Sequence, residues 1–315
     1  MKKKVYRILL ISILIAFVLL TRLLNSTPDI PIEELKIKYA NDASRFIEID
    51  GLMVHYRDEG SGMPIVLLHG TSASLHTWDE WAQELSKKYR VIRMDLPAFG
   101  LTGPNNTNDY SMEYYEVFLN TFLTKLAIDS LYLGGNSLGG QIAWYYTSYH
   151  PQQVKKLVLV DPAGFMSKNE IPFVFKLARV PVLNEVLKKI TPRAFIQNNL
   201  EEVYYDPHKI TVQVIDRYHD LVRRQGNRTA FIARSNAPIV DHTDRLKMIT
   251  APTLLIWGME DQWIPIAQSA DFQKALPKSK LITLKETGHI PMEERPYESL
   301  APVLTFLKDS NFISQ

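Results

Sequence analysis

The chain has 315 residues, of which 46% are apolar and 22% charged, with a net charge of +2 and no cysteine. This length holds one large core with an insertion or a tail. The missing cysteines exclude disulfides, thiolate metal sites and a thioester lipid anchor, and the near-neutral charge argues against nucleic acid as a partner.

Lys2, Lys3, Lys4 and Arg7 precede residues 8–20, which are apolar apart from Ser12, and Arg22 follows. The strictly apolar core of about 13 residues has signal-peptide length; residues 5–24, with the arginines snorkelling, give about 20, enough to cross a bilayer. No small-x-small cleavage signature follows. Residues 1–24 therefore read as an uncleaved signal anchor with a membrane segment at about 5–24. The alternative is a cleaved, secreted form. Positive charge ahead of the segment sets the N-terminus in the cytoplasm and the remainder on the periplasmic or extracellular face. Residues 25–43, with Pro28, Pro31 and mixed charge, read as a linker.

Residues 46–50 and 52–57 read as strands joined at Asp50-Gly51, followed by an apolar run at 63–68 that ends in His69-Gly70. Trp78, Trp81 and Leu85 recur at helical spacing before a strand at 89–94. A helix is expected over 113–126, a strand at 131–133, a helix over 141–150 and a strand at 154–160. Short apolar strands separated by helices indicate a parallel sheet covered on both faces. From about 165 to 235 no strand is evident. Helical pieces rich in Phe and Tyr are punctuated there by Pro172, Pro181, Pro192 and Pro207. The alternation then resumes with a strand at 253–257, a helix at 266–275, a strand at 281–284 and a helix at 297–308. The organisation expected is an α/β core over 44–162, a helical cap over 163–235 and the rest of the core over 236–312.

One stretch carries chemistry: Leu131-Tyr132-Leu133-Gly134-Gly135-Asn136-Ser137-Leu138-Gly139-Gly140. It reads as a buried strand, a tight turn with Ser137 at its apex and a helix that starts at once. Gly135 and Gly139 flank the serine at G-x-S-x-G spacing, letting strand and helix approach closely. The turn aims the free N–H groups of the helix at the hydroxyl, an arrangement suited to a nucleophile. A serine needs a base, and the base an orienting acid. His289 follows the last strand, and Asp261 lies just beyond another strand, so both sit with Ser137 at the carboxyl edge of the sheet. Glu260 and Asp161 stand as alternatives for the acid. The backbone N–H groups of Thr71 and Leu138 are the expected oxyanion hole. His69 reads as a structural histidine, and Asp95 to Gly100 as a turn that shapes the pocket. No metal cluster or phosphate loop is evident, so no cofactor is expected.

With these motifs in place, residues 46–306 resemble the α/β-hydrolase superfamily. The resemblance rests on His69-Gly70, the turn at 95–100, Gly135-x-Ser137-x-Gly139, Trp257-Gly258-x-x-Asp261 with Pro265, and Gly288-His289 followed by Glu294 and Pro296. It implies a mostly parallel eight-stranded sheet with helices on both faces and a helical cap after the sixth strand. It also assigns nucleophile, acid and base to Ser137, Asp261 and His289. Ala98 departs from the family's usual glycine. Serine rather than aspartate at 137 excludes the haloalkane dehalogenase and epoxide hydrolase branches. Membrane-anchored bacterial lipases and esterases look like this chain in anchor, cap and core. The meta-cleavage carbon–carbon hydrolases are similar in Gly135-Asn136-Ser137-x-Gly139-Gly140 and in the cap from Tyr205-Asp206 to Arg217-Tyr218. They typically carry tryptophan where Ile290 stands, and a glycine-proline-glycine run that the loop after Gly70 lacks. The expectation is a serine esterase or lipase for apolar acyl esters, acting on a small-molecule or lipid ester and held to a membrane by its N-terminus. The alternatives are a carbon–carbon bond hydrolase and a non-catalytic binding protein.

Overall fold

The computed structural model describes residues 2–24, 27–165 and 172–309, apart from the side chains of residues 2–4, 8, 16 and 19–24. Eight strands form one sheet: β1 (Ser44–Ile49), β2 (Leu52–Glu59), β3 (Pro64–Leu68), β4 (Arg90–Met94), β5 (Leu131–Asn136), β6 (Val154–Val160), β7 (Thr253–Gly258) and β8 (Ser279–Leu284). Their spatial order is β1-β2-β4-β3-β5-β6-β7-β8. The first two pairings, β1 with β2 and β2 with β4, are antiparallel, and every later one is parallel. The opening hairpin turns at Asp50 and Gly51, both at positive φ (50° and 79°), the conformation an Asp-Gly pair favours in a two-residue turn.

The central strands β3 and β5 are largely apolar because helices cover both faces. On one face α4 (Met112–Lys125) and α5 (Leu138–Tyr149) bring Tyr115, Phe122 and Trp144 against the sheet. On the other, α3 (Asp79–Leu85) and α11 (Pro296–Lys308) bring Trp81, Val303 and Phe306. The chain runs from β3 to β4 on one side, and β5 then lies on the other side of β3. The loops leaving β3 and β5 therefore diverge, opening a crevice at their carboxyl ends, where such sheets bind ligands.

Between β6 and β7 the sheet is interrupted by five helices: α6 (Phe173–Ala178), α7 (Pro181–Leu187), α8 (Arg193–Val203), α9 (Val212–Val222) and α10 (Asn227–Asn236). Three of these follow a proline or begin on one, as at Pro172, Pro181 and Pro192. The segment 166–171, within the expected cap, lies outside the described residues, as do 310–312 of the core's expected second part.

One expectation for the N-terminal region changes. Residues 25–43 are not simply a linker: α2 (Ile32–Tyr39) forms there, with Glu33 and Glu34 in its first turn and Lys36 and Lys38 in its last. It is held to the cap. Leu35 is 2% exposed and packs with Leu101 and Leu221; the Tyr39 hydroxyl and Lys38 ammonium both donate to Asp220. Before the helix, Ile30 exchanges backbone hydrogen bonds with Arg223 and Gln225. Ahead of α2, α1 (Lys2–Leu24) is one continuous helix of 23 residues. Among the described residues no helix is long and apolar enough to cross a membrane, so the span expected at 5–24 is not established by the fold, and residues 19–24 have no described side chains.

If α2 docks as described, Leu35→Ala empties a buried site and lowers unfolding free energy in urea by about 2 kcal/mol, the lower end for buried leucines because its cluster is small. A change within about 0.5 kcal/mol, as for an exposed position, would mean that the segment is a free tether.

Candidate active site

β5 delivers Ser137 to the carboxyl edge, and α5 begins at the next residue. The serine sits at φ 53°, ψ −117°, a conformation that costs a non-glycine residue roughly 1–3 kcal/mol. Its neighbours make the turn possible. A Cβ on Gly135 would lie 2.2 Å from the Gly139 carbonyl oxygen, and one on Gly139 would lie 2.1 Å from that of Leu68. The turn is tied down by Ser137 N–H donating to Val160 O (3.1 Å) and Ala163 N–H donating to Ser137 O (3.1 Å). The hydroxyl has no hydrogen-bond partner among the described residues and opens into the crevice.

His289 follows β8 and is 3% exposed. Its Nδ1 lies 2.7 Å from Asp261 Oδ2, while Asp261 Oδ1 accepts from the N–H groups of Trp263 (2.8 Å) and Ile264 (2.9 Å). A ring nitrogen beside a carboxylate carries the proton, which leaves Nε2 of the neutral imidazole as an acceptor. His289 and Ser137 line the same cavity. Asn136, beside the serine, donates through Nδ2 to the backbone oxygens of His289 (3.0 Å) and Val160 (3.1 Å).

The alternative acids have other partners. Glu260 accepts from Thr287 N–H at 2.9 Å. Asp161, at the end of β6, accepts from Gly258 N–H at 2.9 Å through Oδ1, and its buried Oδ2 has no conventional partner. Side-chain ligand atoms of Asp161, Asp261 and His289 lie within 4.8 Å of one another, the one cluster with metal-ligand geometry among the described residues. A shared proton accounts for this cluster. Burial first, and then the charge of Asp261, push the Asp161 carboxyl well above the usual carboxylate range. Three N–H donors converge on Asp261 and one on Asp161, an asymmetry that favours the ionised form at Asp261 and the protonated form at Asp161.

His69 and Asp95 build the walls. His69 Nδ1 donates to Gly70 O (2.7 Å) and Nε2 accepts from Leu96 N–H (3.0 Å), which fixes one neutral tautomer; burial lowers its pKa. The Asp95 carboxylate accepts from Leu75 N–H and Leu101 N–H, both at 2.8 Å, and pairs with His55 at 2.7 Å. Burial is the largest single influence and opposes its charge, but its neighbours, His55 foremost, together hold the carboxyl well below the usual range. The turn it organises places Ala98, Phe99 and Gly100 on the cavity wall, and Ala98 takes φ 87°, where glycine is at ease.

The cavity has two chambers that meet at Ser137, Thr71 and Trp263. The first, of about 120 Å³, is lined by cap side chains such as Phe195, Ile196, Leu200, Leu221 and Phe231. Arg228 also borders it, but its guanidinium is bound to Thr27 O and Asp29. The second, about 400 Å³, is more polar and also touches Leu138. Three further residues support the site. Trp263 packs against the His289 ring with centroids 5.7 Å apart. Glu293 accepts from Thr77, Tyr204, Arg217 and Tyr218, tying the cap to the core just beyond the histidine. Glu294 accepts from Gly288 N–H (2.7 Å) and Asp206 N–H (2.8 Å), clamping the histidine loop to the cap. Glu294 stands inside a recognisable motif; Trp263 and Glu293 have no signal short of the folded contacts.

A family model of the alpha/beta hydrolase fold matches residues 63–296, well over half of the chain. The chain is 26% identical over 283 residues (84% of this chain, 95% of the relative) to 2-hydroxy-6-oxononadienedioate/2-hydroxy-6-oxononatrienedioate hydrolase 1 of Dechloromonas aromatica (strain RCB). It is 27% identical over 256 residues (77% and 75%) to monoacylglycerol lipase ABHD6 of Mus musculus. Among solved structures it is similar to a membrane phospholipase A described as a bacterial virulence factor, with TM-score 0.73 and 26% identity over 98% of both chains.

Asp161 makes stability depend on pH. Unfolded, it ionises near pH 4; folded, it keeps its proton to higher pH, so the folded chain binds one proton more in that window and loses stability as pH rises, by up to about 1.4 kcal/mol per unit. Asp161→Asn retains the donor and removes the titration. Its advantage over wild type in urea unfolding is expected to grow as pH rises above about 4, where the unfolded carboxyl ionises and the folded one does not. Parallel pH profiles for the two proteins would place the proton elsewhere.

Proposed function

The chain belongs to the α/β-hydrolase fold family, and from that premise we propose that it is a serine hydrolase of carboxylic esters with apolar acyl groups. Ser137 is the proposed nucleophile, His289 the base and Asp261 the acid that orients it. The observation that carries the reading is the His289 Nδ1–Asp261 Oδ2 contact of 2.7 Å in a cavity shared with the strained Ser137. His289 Nε2 takes the hydroxyl proton as Oγ attacks the ester carbonyl. The oxygen that becomes negative is met by the backbone N–H groups of Thr71 and Leu138, the latter reinforced by the N-terminus of α5. The imidazolium returns the proton to the leaving alcohol, and water then hydrolyses the acyl-enzyme by the same route.

An acyl substrate is favoured by the first chamber, whose one bordering guanidinium among the described residues, that of Arg228, is already paired with Asp29. The dienedioate named for the Dechloromonas relative carries two carboxylates, for which that chamber holds no free cation among the described residues. Arg217, in the cap stretch similar to the carbon–carbon hydrolases, is bound to Glu293 at 2.7 Å. The monoacylglycerol lipase and membrane phospholipase A relatives support acylated glycerol lipids as the class. We further propose that residues 5–24 attach the protein to a membrane with the catalytic domain on the non-cytoplasmic face. Exposed apolar side chains along α1, including Leu10, Ile13, Leu14 and Phe17, support this, as does the membrane origin of the phospholipase relative.

Purified protein is expected to hydrolyse p-nitrophenyl esters, with kcat/KM rising along the acyl series from acetyl as the first chamber fills. Ser137→Ala should lose about 10⁴-fold or more. An unchanged rate in that variant, or turnover of vinylogous diketones far above that of any ester, would overturn the assignment.

A further inference from the structure

An ester bound across Ser137 has two ends, and the two chambers differ in what they offer them. The apolar chamber suits the acyl chain, which leaves the second for the alcohol. That chamber contains Arg179 and Arg234. Arg234, on α10, is half-buried; its Nε is sealed from solvent with no hydrogen-bond partner, and its described neighbours are the Tyr115 hydroxyl and the like charge of Arg179. Arg179, at the C-terminal end of α6, donates through Nε to the Ser235 backbone oxygen (2.7 Å). Neither guanidinium forms an ion pair among the described residues. The acids that border the chamber, Asp109, Glu113 and Asp241, lie exposed at its rim and are engaged there by Ser111 N–H, the Tyr145 hydroxyl and Thr243. Holding two like charges together, one of them partly desolvated, is costly unless an anion joins them. Burial lowers the Arg234 pKa, Tyr115 partly offsets this, and Arg179 lowers it further, the electrostatic signature of that cost.

We propose that Arg179 and Arg234 form an anion subsite that binds a phosphate ester on the alcohol side of the substrate. This deepens the ester-hydrolase reading and rests on it: the substrate is an acylated glycerol phosphate with its acyl chain in one chamber and its phosphate in the other. Two planar guanidinium forks match the several oxygens of a phosphate better than a single carboxylate would require.

The test compares 1-octanoylglycerol 3-phosphate with 1-octanoylglycerol, below micelle formation. Binding to full-length Ser137→Ala is measured calorimetrically, and kcat/KM is measured on the protein with Ser137 intact. The phosphate is expected to improve binding by about 10- to 100-fold, the worth of charge-assisted hydrogen bonds. Arg179→Gln and Arg234→Gln, each placed in the Ser137→Ala background, are expected to bring that ratio close to one. Arg234→Met is expected to raise Tm, because it removes a partly desolvated charge that has no ion-pair partner among the described residues; an arginine with a structural role would lower it. Glycerol 3-phosphate that binds far more weakly than the octanoyl compound identifies a lipid headgroup as the occupant; equal affinity identifies a soluble phosphate ester at the same subsite. A phosphate-to-neutral ratio near one, or a ratio that survives both glutamine variants, overturns the subsite. A binding ratio that persists without turnover of any ester overturns the hydrolase reading and leaves the subsite standing.

Discussion

The backbone of α5 runs against the end of β3 with no side chain between them, and the geometry of the site follows from that contact. A Cβ at Gly139 would fall 2.1 Å from the Leu68 carbonyl oxygen. Because the helix comes this close, the loop leaving β3 and the turn leaving β5 face each other across the crevice. Thr71, Ser137 and the start of the helix therefore share one small volume. The strain at Ser137 is sustained by the hydrogen bonds to Val160 and Ala163 on the neighbouring strand and its exit loop.

The cap is joined to this edge through carboxylates rather than through a continuous apolar seam alone. Glu293 and Glu294 stand four and five residues beyond His289, and each gathers donors from α9 or from the segment between α8 and α9. The same short stretch thus carries the imidazole and anchors the roof above it. Buried acids with several donors tolerate the loss of one donor better than they tolerate losing their place, which makes this junction specific in register.

Much of the fold could be read from the chain because its strands are short apolar runs bounded by glycine, proline or polar residues, as at Met63 to Leu68 and Leu131 to Leu133. Their limits in space differ by only a residue or two, as expected where the last bridge frays, except that β5 runs three residues further, to Asn136. Ser137 was legible because only glycine at 135 and 139 permits the close approach. Asp261 and His289 were legible because each follows a strand. The second helix, α2, was not, because eight residues with a single buried leucine carry almost no periodic signal. The proton on Asp161 was not either: it depends on the proximity of two carboxylates 100 residues apart in sequence. Likewise, the roles of Trp263 and Arg234 arise from which walls the cap presents, which local pattern does not encode.

Asn136 donates to the backbone oxygen of His289 from the position next to the serine. The amide is 1% exposed and its second hydrogen bond goes to β6, so it is a fixed post rather than a swinging arm. Drift of the elbow is therefore transmitted to the loop that bears the imidazole, and the two groups travel together. Their spacing is buffered against breathing of the sheet, even though more than 150 residues of chain separate them.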